Sequence, residues 1–141
     1  MRGLIHGLPG TGKSKVIAWI SAFVEEALGW TNGEQFMCVA FQNRMAAAIN
    51  GSTLHAAADL PRPGEDREQQ LSHGDIDHLF IQNERMRWVL VDEISMISDT
   101  LLGEFEHQIS SAASRTRYHT RKDKTQRIFG GYNMLFFGDW W

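Results

Sequence analysis

The chain reads as an α/β domain built on a mainly parallel sheet, and three observations predict it. Continuous apolar runs of strand length recur at 35–41 ("QFMCVAF"), 88–91 ("WVLV") and 133–139 ("NMLFFGD"). Such runs are what strands covered on both faces look like. Segments of helical period lie between them, at 13–28 and 99–114, and alternating strands and helices imply parallel pairing. A Gly-rich stretch, Gly7-Leu8-Pro9-Gly10-Thr11-Gly12-Lys13-Ser14, separates a short first strand from the first helix.

Leu4-Ile5-His6 ends that first strand. In residues 13–28, Val16, Ile17, Ile20, Phe23, Val24 and Leu28 recur at helical spacing, and Gly29 with Asn32-Gly33 ends the helix. Residues 43–50 form a short Ala-rich helix stopped by Gly51, and 52–60 fit neither pattern cleanly. From Pro61 to about Asn83 the chain is polar and reads as a surface connection with one short helix. In residues 99–114, Leu101, Leu102, Phe105 and Ile109 share one side of a helix. Residues 115–127 carry six Lys or Arg against one Asp.

Composition constrains less. The chain has 141 residues, 43% of them hydrophobic and 22% charged, which suits one globular domain or part of one. A net charge of −3 leaves nucleic-acid binding to local patches. The single cysteine, Cys38, has no internal disulfide partner and lies in an apolar run, as a buried thiol does. No apolar run approaches the ~20 residues of a membrane span, and the N-terminus has no signal-peptide pattern. The histidines show no paired metal spacing, and one cysteine cannot complete a zinc site.

Residues 7–14 fit G-x-x-x-x-G-K-[ST]. Glycines let the backbone curl so that several N–H groups face one anion, and the following helix adds its positive end. Gly7, Leu8, Pro9, Gly10, Thr11 and Gly12 are then the phosphate cradle. Lys13 reaches the β- and γ-phosphates of ATP, and Ser14 ligates Mg²⁺. Such a loop needs acids on a neighbouring strand. Trp88-Val89-Leu90-Val91-Asp92-Glu93 supplies two at a strand's C-terminal end, the ligand edge of a parallel sheet. Asp92 is the metal ligand, and Glu93 the base that orients and deprotonates water. A strand at 134–137 is the candidate wedge between the loop strand and the acid strand. It would deliver Asp139 close to the γ-phosphate.

The order "GLPGTGKS", "INGSTLH" (49–55), "VLVDEISMIS" (90–98) and "FGGYNMLFFGDWW" (129–141) resembles the PIF family of superfamily-one DNA helicases. The most specific matches are Asp92-Glu93-Ile94-Ser95-Met96 and Phe129-Gly130-Gly131 with Gly138-Asp139. The resemblance implies the first RecA-like motor domain of an ATP-driven DNA translocase, acting in repair, recombination or telomere maintenance. Lys13, Ser14, Asp92 and Glu93 match its nucleotide and metal positions, with Lys13 and Glu93 the catalytic pair. Residues 42–55 match a segment that grips single-stranded DNA, which nominates Gln42, Thr53 and His55. Gln42-Asn43 departs from the frequent Thr-Gly, and His55 equally suits a packed, hydrogen-bonded role. The 115–127 connection reads either as a solvated loop or as an electrostatic DNA contact through Tyr118, His119 and its basic residues.

The resemblance also implies a longer protein. A coupling glutamine, a second RecA-like domain with its arginine finger, and an upstream adenine-gripping segment are expected outside residues 1–141. The chain by itself is then expected to bind nucleotide weakly, to hydrolyse it poorly and not to unwind DNA. The expected strand order is loop strand, 134–137, 88–91, 35–41, with the loop strand at an edge and Trp140 and Trp141 near a covered surface. Two other readings fit the phosphate loop: another P-loop ATPase, such as a RecD-like or conjugative relative, and a nucleotide-binding remnant without turnover. Nucleus, mitochondrion and bacterial-type cytosol are all compatible with the sequence.

Overall fold

In the computed structural model, residues 1–60, 73–116 and 118–139 are described. Five strands and five helices follow in the order β1 (Arg2–His6), α1 (Lys13–Leu28), β2 (Phe36–Ala40), α2 (Asn43–Ala48), β3 (Ser52–Thr53), α3 (Leu54–Ala57), α4 (His73–Asn83), β4 (Trp88–Val91), α5 (Asp99–Ala112) and β5 (Asn133–Gly138). All four strand pairings are parallel, in the order β1-β5-β4-β2-β3. The wedge expectation holds: β5 lies between β1 and β4, with Ile5 opposite Phe137 and Leu90 opposite Leu135. β1 is an edge strand, and β3 adds one pairing beyond β2 that the sequence pattern did not signal.

The side-chain period of two sorts the apolar strands into two cores. Phe36, Cys38, Ala40, Leu90, Leu135 and Phe137 face Ile17 of α1 and Ala46 of α2. Met37, Val39, Val89, Val91 and Met134 face Leu54, Leu101, Phe105 and Ile109. The sheet is thus the middle of three layers, which is why its strands read as unbroken apolar runs. Phe36, Phe105 and Phe137 are fully buried. Each contributes roughly 1.5–3 kcal/mol by leaving water.

α1 starts and stops on glycines in left-handed conformation, Gly12 (φ 92°) and Gly29 (φ 64°), where a side chain would be strained. Its buried stripe is narrower than its apolar spacing suggests. Ile17 is buried and Val16, Ile20 and Val24 pack partly, but Phe23 is 63% exposed and Leu28 50%. α4 is an 11-residue helix, longer than the short one expected in that polar stretch. The rest of the expected connection, 61–72, lies outside the described residues, as do Trp140 and Trp141. Ser98 caps α5 by accepting a hydrogen bond from the Leu101 N–H at 3.2 Å. No helix among the described residues is long and apolar enough to cross a membrane.

Candidate nucleotide site

Residues 7–12 join β1 to α1 at the C-terminal edge of the sheet. The Gly7 N–H donates to the Gly138 carbonyl at 3.4 Å and ties the loop to the end of β5. The Thr11 N–H and hydroxyl both donate to the Leu8 carbonyl, at 3.2 and 2.8 Å, and close a tight turn. A Cβ on Gly7 would lie 2.7 Å from the Thr11 Oγ1, so a side chain there would displace that hydroxyl from the Leu8 carbonyl. The N-terminus of α1 has no side-chain cap and no acid in its first turn. Its free N–H groups and positive dipole end therefore favour an anion.

Lys13 is 9% exposed. Its ammonium donates to the carbonyls of Gly7 (2.9 Å) and Leu8 (3.1 Å) and to the Asp139 carboxylate, an ion pair inside the site. Asp92 is 3% exposed, and the Ser14 hydroxyl donates to it at 3.2 Å. The other Asp92 oxygen accepts the Glu93 N–H at 3.0 Å. Glu93 itself sits in left-handed conformation (φ 51°, ψ 49°), leading into the single turn Ile94–Met96. A non-Gly residue held there costs of order 1–3 kcal/mol and is a recurrent mark of functional positions. Gly138 allows β5 to approach that turn: a Cβ on it would stand 2.6 Å from Ile94 Cγ2.

Five expected residues, Lys13, Ser14, Asp92, Glu93 and Asp139, thus meet at the ends of β1, β4 and β5. Gln42 follows β2, Thr53 ends β3 and His55 lies in α3, on the same edge but on the far side of the acid strand. Gln42 is exposed and makes no side-chain cap at the start of α2. Thr53 has a structural duty, since its hydroxyl accepts the Ala56 N–H at 3.2 Å and caps α3. Sequence reasoning placed Asp139 near phosphate but missed that it grips Lys13. No local signal could have shown it, because the pair is 126 positions apart and meets only through β1–β5 pairing.

Burial raises the Glu93 pKa above its usual value, the neighbouring carboxylates of Asp92 and Asp139 raise it further, and Lys13 partly offsets them. In the expected role of base Glu93 works deprotonated, so turnover is expected to fall as pH drops through this raised value. Asp139→Asn removes one repelling charge and frees Lys13 to act on Glu93. Both changes lower the Glu93 pKa. The acid limb of the pH–rate profile is therefore expected to move to lower pH in that variant, whatever happens to its plateau. A limb that stays put would show that Asp139 does not set the base.

A glycine-rich loop before an uncapped helix start, an interior lysine and two strand-end acids on a wedge-ordered parallel sheet define a P-loop nucleotide-binding domain. The chain belongs to the AAA domain family, whose model matches residues 2–139. No curated protein sequence matches it. Among solved structures, the Pif1 helicase from Candida albicans superposes with a TM-score of 0.67 at 23% identity, covering 99% of this chain and 28% of that one. Pif1 helicase from Bacteroides in complex with ADP-AlF3 and ssDNA gives 0.66 at 21% identity, over 98% of this chain and 28% of that one. The unliganded Bacteroides sp. protein gives 0.65 at 20%. The likeness shows a RecA-like P-loop fold, and the chain spans about 28% of the length of the proteins it matches.

Proposed function

We propose that this chain is the nucleotide-binding motor domain of an ATP-dependent DNA helicase of the PIF kind, part of a longer protein. One observation carries the proposal: Lys13, Ser14, Asp92, Glu93 and Asp139 converge on one sheet edge in the strand order β1-β5-β4. The likeness to Pif1 structures bound to ADP-AlF3 and ssDNA supports it. ATP would lay its phosphates over residues 7–12, with the Lys13 ammonium turning from Asp139 toward the β- and γ-phosphates. Ser14 and Asp92 place two oxygens side by side at a helix start, a donor set that fits Mg²⁺. When bound, that ion would neutralise charge on the transferring phosphoryl group. Glu93, held by its backbone beside Asp92, would take the proton of the attacking water. Asp139 would report the change through β5.

Single-stranded DNA would run along the same edge past Gln42, Thr53 and His55, and duplex junctions would be its substrate. Roles in repair, recombination or telomere maintenance belong to this proposal and follow from the family resemblance alone. The chain by itself would turn over slowly, because an arginine finger from another domain is worth roughly 10³–10⁵ in rate. The test is phosphate release by the full-length protein with and without a single-stranded oligonucleotide. DNA-stimulated turnover that disappears in Lys13→Ala is expected. Turnover indifferent to DNA would point to another class of ATPase, and binding without turnover to a remnant.

A further inference from the structure

The basic stretch 115–127 borders a cavity of about 650 Å³ between α5 and the chain that enters β5. Its walls include Ser111, Ser114, Arg115, His119 and Arg127. A second hollow of about 170 Å³ shares Arg127 and adds Arg2 and Arg121. Both precede the start of β5, whereas the phosphate loop meets its end. Six strand residues, at ~3.3 Å each, put roughly 20 Å between the two places. This is not the nucleotide site.

The partners of each charged group show what remains to be satisfied. Arg115 is committed: it pairs with Asp77 at 2.7 Å and lies 5.6 Å from the Phe80 ring centre. It also follows α5 directly, where a cation offsets the helix dipole. Arg121 holds its own loop through Thr125 Oγ1 and the Gln126 carbonyl, both at 3.1 Å. Glu106, the acid in the wall, is also committed, accepting from the Ser110 hydroxyl (2.7 Å) and the Phe129 N–H (2.9 Å). Arg127 is different. It is exposed, lines both hollows, and its guanidinium makes no hydrogen bond or ion pair among the described residues. Beside it His119 is 7% exposed, with a buried Nδ1 that has no partner among the described residues. The exposed Ser114 hydroxyl is likewise uncommitted.

The chemistry offered is a fork of guanidinium donors with hydroxyl and imidazole groups nearby. That suits a phosphate oxygen better than a nucleobase. No Phe, Tyr or Trp among the described residues lines the cavity, and Tyr118, the aromatic of the segment, has its ring against the Arg87 guanidinium at 4.7 Å. A stacking platform for single strands is therefore not presented here. We propose that the cavity around Arg127 is a second phosphate-binding site, on the sheet edge opposite the nucleotide loop. A free polyphosphate and a nucleic-acid backbone both present anionic phosphate oxygens, and binding measurements separate them.

Sodium tripolyphosphate and a fluorescent dT oligonucleotide would each be titrated at low salt into the Lys13→Ala protein, so that the phosphate loop contributes little. Arg127→Glu is expected to weaken binding about tenfold or more, the size of one lost charge-assisted hydrogen bond. Ser114→Asp, an exposed change at the same wall, is expected to act in the same direction, and Arg127→Lys, which keeps the charge without the fork, to lose less than Arg127→Glu. Loss for tripolyphosphate alone assigns a free anion. Loss for the oligonucleotide too, with the salt slope reduced by about one, assigns a backbone phosphate. Unchanged affinity for both ligands in Arg127→Glu and Ser114→Asp, with melting temperatures intact, overturns the site.

Discussion

Glu93→Gln is expected to lower nucleotide turnover by about 10²–10⁴-fold, the usual contribution of a positioned general base. The amide keeps the size of the carboxylate, and the Glu93 backbone bond to Asp92 remains. What disappears is the carboxylate proposed to accept the water proton. Binding responds differently. The site holds three carboxylates, those of Asp92, Glu93 and Asp139, against the Lys13 ammonium, and repulsion from the other two adds to the effect of burial in raising the Glu93 pKa. Deleting one negative charge cannot weaken the attraction for a polyphosphate. Phosphate release should therefore collapse while the affinity for a non-hydrolysable nucleotide analogue holds or improves. Turnover within a few-fold of the unmodified protein would place the base elsewhere. Loss of affinity instead would mean that Glu93 has a structural task in the loop.

Much of this site was legible because its parts are local. The loop from Gly7 to Ser14 carries its own geometry: Gly12 must be left-handed, and α1 must start at once. The strand from Trp88 to Val91 is buried on both faces, so it reads as an apolar run that ends on its acids. What stayed hidden depends on chain crossings. β3 is two residues long and too short to show a period, so Ser52–Thr53 exists as a strand only because Val39 and Ala40 pair with it. The helical spacing of α1 located the helix but not its covered stripe. Trp19, 69% exposed, and Phe23 turn away from the sheet. Tyr118 and His119, candidates for a DNA contact in the basic stretch, are drawn inward by Arg87 and by burial. Gly51 illustrates the same point. Its place in "INGSTLH" was recognised by pattern, and its physical reason is that a Cβ would stand 2.2 Å from the Cys38 carbonyl oxygen.

The same kind of reason predicts a large stability effect at Gly131. Phe129 (φ 52°), Gly130 (φ 60°) and Gly131 (φ 87°) are three successive left-handed residues in the turn that starts β5. A Cβ at Gly131 would meet the Tyr118 carbonyl oxygen at 2.1 Å and its carbon at 2.9 Å. Both are backbone atoms, so no rotamer change relieves the overlap. Left-handed strain of about 1–2 kcal/mol and overpacking of about 1–3 kcal/mol then act together. Gly131→Ala is expected to destabilise the protein by about 3 kcal/mol, lowering its melting temperature by roughly 10 °C. Gly103 supplies the opposite sign from the same substitution. It lies inside α5, and a Cβ there meets nothing within 4 Å. Gly103→Ala should therefore stabilise by about 0.5–1 kcal/mol, because alanine gives up less backbone freedom in a helix. Thermal unfolding of the two variants side by side decides the matter: a Gly131→Ala protein that melts no lower than the unmodified one would mean that the turn at 129–131 is not the constrained corner its torsions and contacts describe, and a Gly103→Ala protein that melts lower would mean that α5 is not open at that position.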